Sequence, residues 1–359
     1  MNRRSADAPA RRPAGVKAAP RAQGSTTGVQ EAATQAVAFA LVENFSMIAF
    51  VSALEPLRLA NRVAGKELYS WALFSRDGKQ VTASNGIAIG VDAGFADLAP
   101  QSHARAGRSP AGQAQGQVFV CGGVDIERLD HTLLSGQLRK LSARGAVIGA
   151  LCTGTHVLAA AGLLKGHRCT IHWENLDALR ERFPDLDVTQ ELFEFDRNRV
   201  TCAGGTAAID MILSLIARES GPDIAALVTD ELIHHRMREA GERQRMELRT
   251  RLGVAHPKLL AVIDRMEKSL EHPLACSKLA KEAKLSARQL ERLFQKYIGA
   301  SPTRYYLHLR LARARTLLLQ TSMPILSVGL ACGFISASHF SKCYSEFFRR
   351  TPSHERRKG

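Results

Sequence analysis

The last hundred residues of the chain repeat one helical pattern at a spacing of 50 positions. The matched pairs are Ser286 with Ser336, Leu290 with Phe340, Phe294 with Tyr344, and Pro302 with Pro352. A fixed internal period indicates that one structural unit occurs twice. Serine directly before an apolar-periodic segment is a favoured helix N-cap. The repeat therefore predicts two capped helices, at 287–298 and 337–348, within an all-α domain over residues 257–359.

Each capped helix follows a shorter apolar helix and a tight break. The short helix is predicted at 277–283 in the first unit, before Lys284-Leu285, and at 325–332 in the second, before Gly333. A long helix at 303–320 joins the units, and 258–270 precedes them. A short helix, a turn and a capped second helix form the helix-turn-helix motif, whose second helix enters the DNA major groove.

Positive charge concentrates in the same region. The formal net charge is +15, and residues 257–359 hold 19 Lys and Arg against 7 Asp and Glu. A basic segment attached to a nearly neutral body favours a polyanionic partner, here double-stranded DNA. The alternative is a basic helical bundle that binds another protein.

The two predicted recognition helices supply the candidate DNA contacts. Arginine and lysine suit guanine edges and glutamine suits adenine, whereas contacts to phosphate depend strongly on salt. The candidates on the helices and their caps are Ser286, Arg288, Gln289, Arg292, Lys296, Ser336, Ser338, His339, Lys342 and Ser345. The candidate phosphate contacts are Lys278, Lys281, Arg304, Arg349 and Arg350.

Residues 36–220 alternate short apolar strands with helices. Strands are predicted at 37–42, 68–75, 118–121, 146–151 and within 197–205, helices at 47–63, 133–143, 156–164 and 206–218, and a hairpin at 80–91 with Asn85-Gly86 as its turn. This alternation predicts a parallel sheet with helices on both faces. Ligands of such a sheet bind beyond the carboxyl ends of its strands.

Composition characterises the other segments. Residues 1–35 are predicted to be a disordered basic tail, with an organellar presequence as the alternative. Residues 100–117 are predicted to be a flexible loop, and 221–256 a charged helical linker. The seven cysteines include no C-x-x-C pair, and no apolar run is long enough for a membrane span. We expect a cytoplasmic protein without a metal or cofactor.

The capped segments resemble a known DNA-binding domain. SARQLERLFQKYIGASP at 286–302 and ACGFISASHFSKCYSEFF at 331–348 resemble the AraC-type regulators. The resemblance implies sequence-specific DNA binding, stronger base contacts from the first recognition helix, and RNA polymerase as a partner.

Cys152 lies between a predicted strand and a predicted helix, where a strained turn exposes a nucleophile in some enzymes. A helix N-terminus there is expected to lower the thiol pKa and to favour anions. GALCTGTHVLAAAGLL at 149–164 and VFVCGG at 118–123 resemble the cysteine elbow of the PfpI and class I glutamine-amidotransferase-like proteins. The resemblance implies a flavodoxin-like α/β domain in which Gly122-Gly123 faces Cys152.

Two departures from that superfamily argue against catalysis. Thr153 follows the cysteine where its hydrolases commonly carry histidine, and Ala49 stands where they commonly carry an acid, with Glu43 and Glu55 as substitutes. A cysteine without its base and acid is a poor catalyst. The chain is therefore predicted not to be an enzyme, and Cys152 is predicted to contact a ligand or to pack at a structural turn.

The order of the domains resembles one subgroup of AraC-type regulators. ENFSMIAFVSALEPLRLAN, IHWENL and DRNRVTCAGGTAAIDMIL are similar to regulators of glycine betaine, carnitine and arginine catabolism. The resemblance implies an activator of a catabolic operon that responds to a small amine bearing a carboxylate. The elbow at Cys152 is expected to hold the carboxylate, and Trp173 the ammonium group.

Around the elbow, the candidate ligand-binding residues are Glu43, Asn44, Phe45, Gly122, Gly123, Cys152, Thr153, His172 and Trp173. A homodimer is expected, since two tethered DNA readers bind more tightly than one. Two alternatives stay open. One is an isonitrile-hydratase-like or amidase enzyme with a DNA-binding tail, and the other is an architectural DNA-binding protein with an inert α/β domain.

Overall fold

A computed structural model describes residues 34–100, 116–321 and 323–358. The predicted basic tail and the predicted loop at 100–117 lie almost wholly outside the described residues. The strands are β1 (Gln35–Leu41), β2 (Tyr69–Ser75), β3 (Val81–Thr82), β4 (Ala88–Ile89), β5 (Ala93–Gly94), β6 (Gln117–Cys121), β7 (Val147–Leu151), β8 (Arg168–Cys169), β9 (Asp187–Val188), β10 (Phe193–Asp196) and β11 (Arg199–Cys202). The helices are α1 (Met47–Ala64), α2 (Thr132–Ala143), α3 (Gly154–Ala160), α4 (Leu176–Arg182), α5 (Ala207–Ser220), α6 (Pro222–Glu231), α7 (Leu248–Leu252), α8 (Pro257–Glu267), α9 (Cys276–Glu282), α10 (Ala287–Ile298), α11 (Pro302–Gln320), α12 (Ile325–Ala331), α13 (Ala337–Phe348) and α14 (Pro352–Lys358).

Seven strands form one sheet in the order β10-β11-β7-β6-β1-β2-β5, parallel except for β10 with β11. The central strands β6 and β1 are apolar runs, and β6 is buried along its whole length. Strands with no polar alternation suit a sheet covered on both faces. Helices α1, α5 and α6 cover one face, and α2, α3 and α4 cover the other. The predicted flavodoxin-like α/β architecture is confirmed.

The predicted hairpin at 80–91 is confirmed as β3 paired with β4, with Gly86 at φ +84° in its turn. The helix expected at 156–164 begins earlier, at Gly154, and ends at Ala160, because Gly162 has a φ of +75° that ends the helical backbone. No helix among the described residues combines the length and hydrophobicity that crossing a membrane requires.

The predicted helical linker at 221–256 is helical only in α6 and α7; residues 232–247, which we call the strap, are not helical. Their polar groups bond to the sheet domain (residues 34–231) instead of to a helix of their own. The backbone N–H of Arg238 donates to Oδ1 of Asp210 at 2.7 Å, and the N–H of Leu192 donates to the carbonyl of Ala240 at 2.9 Å. These partners come from distant parts of the chain, so the composition of the strap did not reveal them.

The helical domain (residues 248–358) has two cores, one for each helix-turn-helix unit. Leu290 and Phe294 lie in the first core and their repeat partners Phe340 and Tyr344 in the second, all at most 1% exposed. Helices α10 and α13 have the predicted bounds. Both predicted serine caps are present, since Ser286 and Ser336 accept from the backbone N–H three positions on, at 3.1 and 3.2 Å. The tandem fold is therefore as predicted.

The helical domain also packs against the sheet domain. Arg313 of α11 pairs with Asp177 of α4 at 2.9 Å. Ala178, the next residue of α4, is buried within the core of the second helix-turn-helix unit. Arg128 donates to the carbonyl of Leu319 at 3.4 Å. The linking helix of the tandem unit therefore rests on the segment that follows Trp173.

Candidate ligand site and DNA-binding surface

Cys152 occupies a sharp turn between β7 and α3. Its φ is +58°, in the left-handed region that non-glycine residues rarely adopt. Glycines let the neighbouring backbone approach this turn. A Cβ built on Gly204 would lie 2.6 Å from Cβ of Cys152, and one built on Gly154 would lie 2.2 Å from the carbonyl oxygen of Val120. The turn has the strained strand-to-helix geometry expected of an elbow.

Burial decides the chemistry of the Cys152 thiol. Burial raises the pKa of Cys152 to about 11, against the smaller lowering effects of the backbone N–H of Thr153 and the hydroxyl of Ser46. The expectation that the helix N-terminus lowers this pKa is wrong, because the cost of desolvating the thiolate is larger than the stabilisation that the N–H groups provide. At neutral pH the thiol is therefore protonated and a weak nucleophile.

The two positions where related hydrolases carry a histidine and an acid are occupied here by residues with structural roles. Thr153 donates from Oγ1 to the carbonyl oxygen of Gly123 at 2.7 Å, and Ala49 is 1% exposed within the core. The hydroxyl of Ser46 lowers the pKa of the Cys152 thiol, but by less than burial raises it. These three side chains give Cys152 no proton acceptor of the kind that activates a nucleophile.

Five of the predicted ligand residues pack within the loops that support the elbow: Asn44, Phe45, Gly122, Gly123 and Thr153. A Cβ on Gly123 would lie 1.9 Å from the carbonyl oxygen of Asn44, so the two loops touch through their backbones. Phe45 is fully buried and packs edge-on against Phe50, with ring centres 5.8 Å apart. These residues shape the elbow by packing.

A cleft of about 190 Å³ opens beside the elbow. Gly204, which touches Cys152, lines one wall, and His172 and Trp173 line another. The structure therefore brings the predicted Trp173 and His172 to the elbow. The lining residues are His172, Trp173, Leu192, Ala203, Gly204, Gly205, Thr206, Ala207, Arg238 and Gln244.

Two strap residues, Arg238 and Gln244, line this cleft and were missed from the sequence. Arg238 pairs with the fully buried Asp210 at 2.7 Å. Gln244 donates from Nε2 to the carbonyls of Ile171 and Glu191 at 3.0 and 2.9 Å. The charged run at 237–251 resembled a solvated linker, and only its lack of a helical apolar period indicated otherwise.

Glu43 lies elsewhere, in a cavity of about 520 Å³ at the ends of β1 and β2. Arg76 and Asp130 also line this cavity and form an ion pair at 2.8 Å. The residues that line this cavity are all different from those of the elbow cleft. The predicted ligand set therefore divides between the elbow and a second cavity.

The recognition helices α10 and α13 expose nearly all of their predicted base-contacting side chains. The exposed ones are Ser286, Arg288, Gln289, Arg292, Lys296, Ser336, Ser338, His339 and Lys342, and Ser345 is half-buried. Among the predicted phosphate contacts, Lys278, Lys281, Arg304 and Arg349 are exposed, and Arg350 is half-buried. The buried faces of the two helices carry the apolar repeat positions, so the polar faces are left for a partner.

Some of these side chains also have structural tasks. Oε1 of Gln289 accepts from the backbone N–H of Ser286 at 2.8 Å and completes a capping box. The NH₂ group of the Gln289 side chain is then still available to bond a DNA base. Arg350 pairs with Glu355 at 3.5 Å. Ile335 stands immediately before the cap Ser336 and is 93% exposed. Sequence reasoning missed Ile335, which places an apolar group beside the second recognition helix.

The chain is similar to known proteins along most of its length. Residues 35–218 match the DJ-1/PfpI family, and residues 279–358 match the helix-turn-helix domain. The chain is 47% identical over 326 residues to the HTH-type transcriptional regulator GbdR of Pseudomonas aeruginosa, covering 90% of this chain and 84% of GbdR. It is 43% identical over 318 residues to the HTH-type transcriptional regulator CdhR of the same organism, covering 89% and 90%. Isonitrile hydratase of Pseudomonas putida is 38% identical over 97 residues, 26% of this chain and 41% of that enzyme.

The tandem helix-turn-helix fold and its exposed polar helices define a class of protein, the DNA-binding transcription regulators. Within that class, the chain belongs to the HTH-type regulators that join a DJ-1/PfpI domain to a C-terminal AraC-type helix-turn-helix domain. The function that the sequence predicted as the main interpretation is confirmed at this level.

Proposed function

We propose that the DJ-1/PfpI domain binds a small metabolite in the elbow cleft, and that binding changes how the protein acts on DNA. The observation that carries the proposal is an elbow of intact geometry whose thiol is protonated and is followed by Thr153, bonded to Gly123, instead of a histidine. A domain that keeps a partly polar cleft beside a protonated, unactivated thiol is suited to binding without turnover.

A small amine that carries a carboxylate fits the cleft best. The ring of Trp173 already has a guanidinium group 4.4 Å from its centre, so it accepts cations. The turn Gly204-Gly205-Thr206 leads into the N-terminus of α5, where backbone N–H groups favour a carboxylate. The candidates are glycine betaine, dimethylglycine, carnitine and arginine, in keeping with the resemblance of the sequence.

The test is a thermal-shift titration of the full chain with these four compounds. A ligand present at about 100 times its Kd stabilises the folded state by about 2.7 kcal/mol, which raises the Tm. Trp173→Ala should lose the shift, and Trp71→Phe, which alters the other tryptophan, should keep it. If none of the four compounds raises the Tm of the unsubstituted protein, the ligand class is wrong.

We infer that the domain performs no catalysis. The alternative, an isonitrile-hydratase-like or amidase activity, has the short similarity to isonitrile hydratase in its favour. Purified protein should show no turnover of isonitriles, amides or esters beyond that of Cys152→Ala; turnover that Cys152→Ala abolishes would establish the alternative.

The reactivity of the cysteines gives a second test of the same inference. Cys276 and Cys343 are partly exposed, whereas Cys152 is buried with a pKa raised to about 11. Because the thiolate is the reactive form, iodoacetamide at pH 8 should modify Cys276 and Cys343 before Cys152. Peptide mass mapping over time measures this order, and early labelling of Cys152 would contradict a protonated thiol.

We propose further that the protein activates a catabolic operon, binds its operator as a homodimer and contacts RNA polymerase. The exposed recognition helices and the family support operator binding. Light scattering of the operator complex gives the stoichiometry, and a reporter behind the operator, with and without the ligand, distinguishes activation from repression.

A further inference from the structure

Two strap residues that line the elbow cleft, Arg238 and Gln244, anchor the strap to the sheet domain. Near its start, Arg238 bonds both carboxylate oxygens of Asp210, a fully buried residue of α5, at 2.7 to 2.9 Å. Near its end, Gln244 donates to the carbonyls of Ile171 and Glu191. The strap therefore runs along the elbow cleft between these two anchors.

The residue after the second anchor, Arg245, lies over Trp173. Its guanidinium carbon is 4.4 Å from the centre of the ring. Both side chains keep part of their surface in solvent, with Trp173 38% exposed, so solvent reaches the contact. A released guanidinium would be hydrated, and the ring would be open to a different cation. The contact is therefore exchangeable.

Arg245 is close in sequence to the helical domain. Three positions later α7 begins, and its Leu248 and Leu252 pack against the core of the first helix-turn-helix unit. Val254 is buried in that core, and Arg251 pairs with Glu267 of α8. Only Met246 and Glu247 separate Arg245 from α7, so Arg245 lies next in the chain to the contacts of the first unit.

Charges from both domains surround Arg245. Burial and the neighbouring Arg251 lower its pKa, whereas Glu267, Tyr305 and Glu174 raise it. Glu174 belongs to the sheet domain, and Glu267 and Tyr305 belong to the first helix-turn-helix unit. An arginine stays charged in this setting, so Arg245 is a permanent cation at the border of the two domains.

We propose that Arg245 occupies the cation subsite of the elbow cleft in the ligand-free protein, and that the cationic group of the ligand replaces it on Trp173. The ligand is a small zwitterion with a quaternary ammonium or guanidinium group and a carboxylate. Release of Arg245 frees the end of the strap and moves α7 and, with it, the first recognition helix. This inference rests on the proposed ligand response and names its first step.

The contact itself can be tested without a ligand. The chain has two tryptophans, so in a Trp71→Phe background all tryptophan fluorescence comes from Trp173. Arg245→Ala should increase acrylamide quenching of Trp173. Arg245→Lys should restore the quenching of the parent, because a cation again covers the ring. Arg243→Ala is the matched control, since Arg243 is an exposed strap arginine outside the cleft lining.

Competition is measured by titrating glycine betaine and arginine into the same variants. Arg245→Ala should bind at least one of these compounds several-fold more tightly than the parent, because no intramolecular cation has to leave first. Arg243→Ala should bind with the affinity of the parent. Equal affinities for the parent and Arg245→Ala would overturn the competition.

Coupling is measured on an operator selected from random duplexes by the unsubstituted protein. Ligand-free Arg245→Ala should have the operator affinity of the ligand-saturated parent, and ligand should change it no further. An unchanged ligand effect in Arg245→Ala would overturn the inference. If neither compound binds the parent but Arg245→Ala still shifts operator affinity, the proposed ligand class fails and the coupling through Arg245 stands. If that variant shifts neither quenching nor operator affinity, the inference fails.

Discussion

At position 204 the backbone has a φ of +88° and faces the elbow cysteine. A Cβ there would lie 2.6 Å from Cβ of Cys152, whereas a Cβ on Gly205, which has a φ of +57°, would meet nothing within 4 Å. Alanine at either position strains the backbone by about 1 kcal/mol. Only Gly204→Ala adds the cost of overpacking, about 1–3 kcal/mol. Urea unfolding of the two variants measures the difference, and equal losses of stability would contradict the close contact.

Arg292 and Lys278 differ in their expected contribution to DNA recognition, although both are exposed cations of the first unit. Arg292 lies on α10, so Arg292→Ala should cost about 1–3 kcal/mol on the operator and little on unrelated DNA. Lys278 lies on α9, so Lys278→Ala should weaken both and reduce the salt slope by about one. Fluorescence anisotropy on both duplexes at several salt concentrations separates the two. A uniform loss for Arg292→Ala would make it a phosphate contact.

At the scale of elements, α3 carries a histidine in an unusual setting. His156 is 4% exposed, and neither ring nitrogen has a hydrogen-bond partner among the residues that the structure describes. Its ring packs edge-on against Phe183, with centres 5.7 Å apart. Burial, with Arg182 and His131 nearby, lowers the pKa of His156 from 6.5 to about 4. The folded protein therefore holds this histidine neutral.

That lowered pKa makes the stability depend on pH. The unfolded state binds the proton more tightly, so the contribution of His156 is intact above pH 6.5 and is lost as the pH falls towards 4. The loss amounts to roughly 3 kcal/mol. His156→Phe should flatten the curve of unfolding free energy against pH in this range, and His272→Gln, at an exposed histidine, should not. An unaltered curve in His156→Phe would place the dependence elsewhere.

For the whole molecule, the contact between α4 and α11 joins the segment beside the elbow cleft to the helical domain. Trp173 and His172 line the cleft, and Asp177 and Ala178, one turn later, contact the helical domain. One short segment therefore touches both the elbow cleft and the linking helix. We propose that this segment is a second path, besides the strap, between the cleft and the DNA-binding domain.

Charge reversal tests that route. The Arg313–Asp177 pair is partly exposed, at 16% and 43%, so it stabilises the fold by at most about 1 kcal/mol. Asp177→Arg or Arg313→Asp should nevertheless weaken the effect of ligand on operator affinity, because like charges separate the helices. The double reversal should restore it. Reversals that leave the ligand effect intact would show that α4 and α11 do not transmit it.

The parts of the molecule that could be predicted from sequence rest on local interactions. Ser286 caps α10 through a partner three residues away, and Leu290 with Phe294 fall one turn apart on one face. The strap, in contrast, depends on Asp210, Ile171 and Glu191, which are 28 or more positions away from their partners. Its charged composition contains nothing that identifies these partners, so it was predicted to be a linker.

The sequence by itself determined the two capped reading helices, the alternating strands and helices, and the elbow turn at Cys152, because short-range hydrogen bonds and apolar periodicity specify them. Only the tertiary structure decided that the thiol is protonated, since its pKa depends on burial by distant loops. The tertiary structure likewise decided that Glu43 lines a different cavity from the elbow cleft and that Arg245 lies on Trp173. These properties depend on contacts between segments far apart in the chain, which no local pattern encodes.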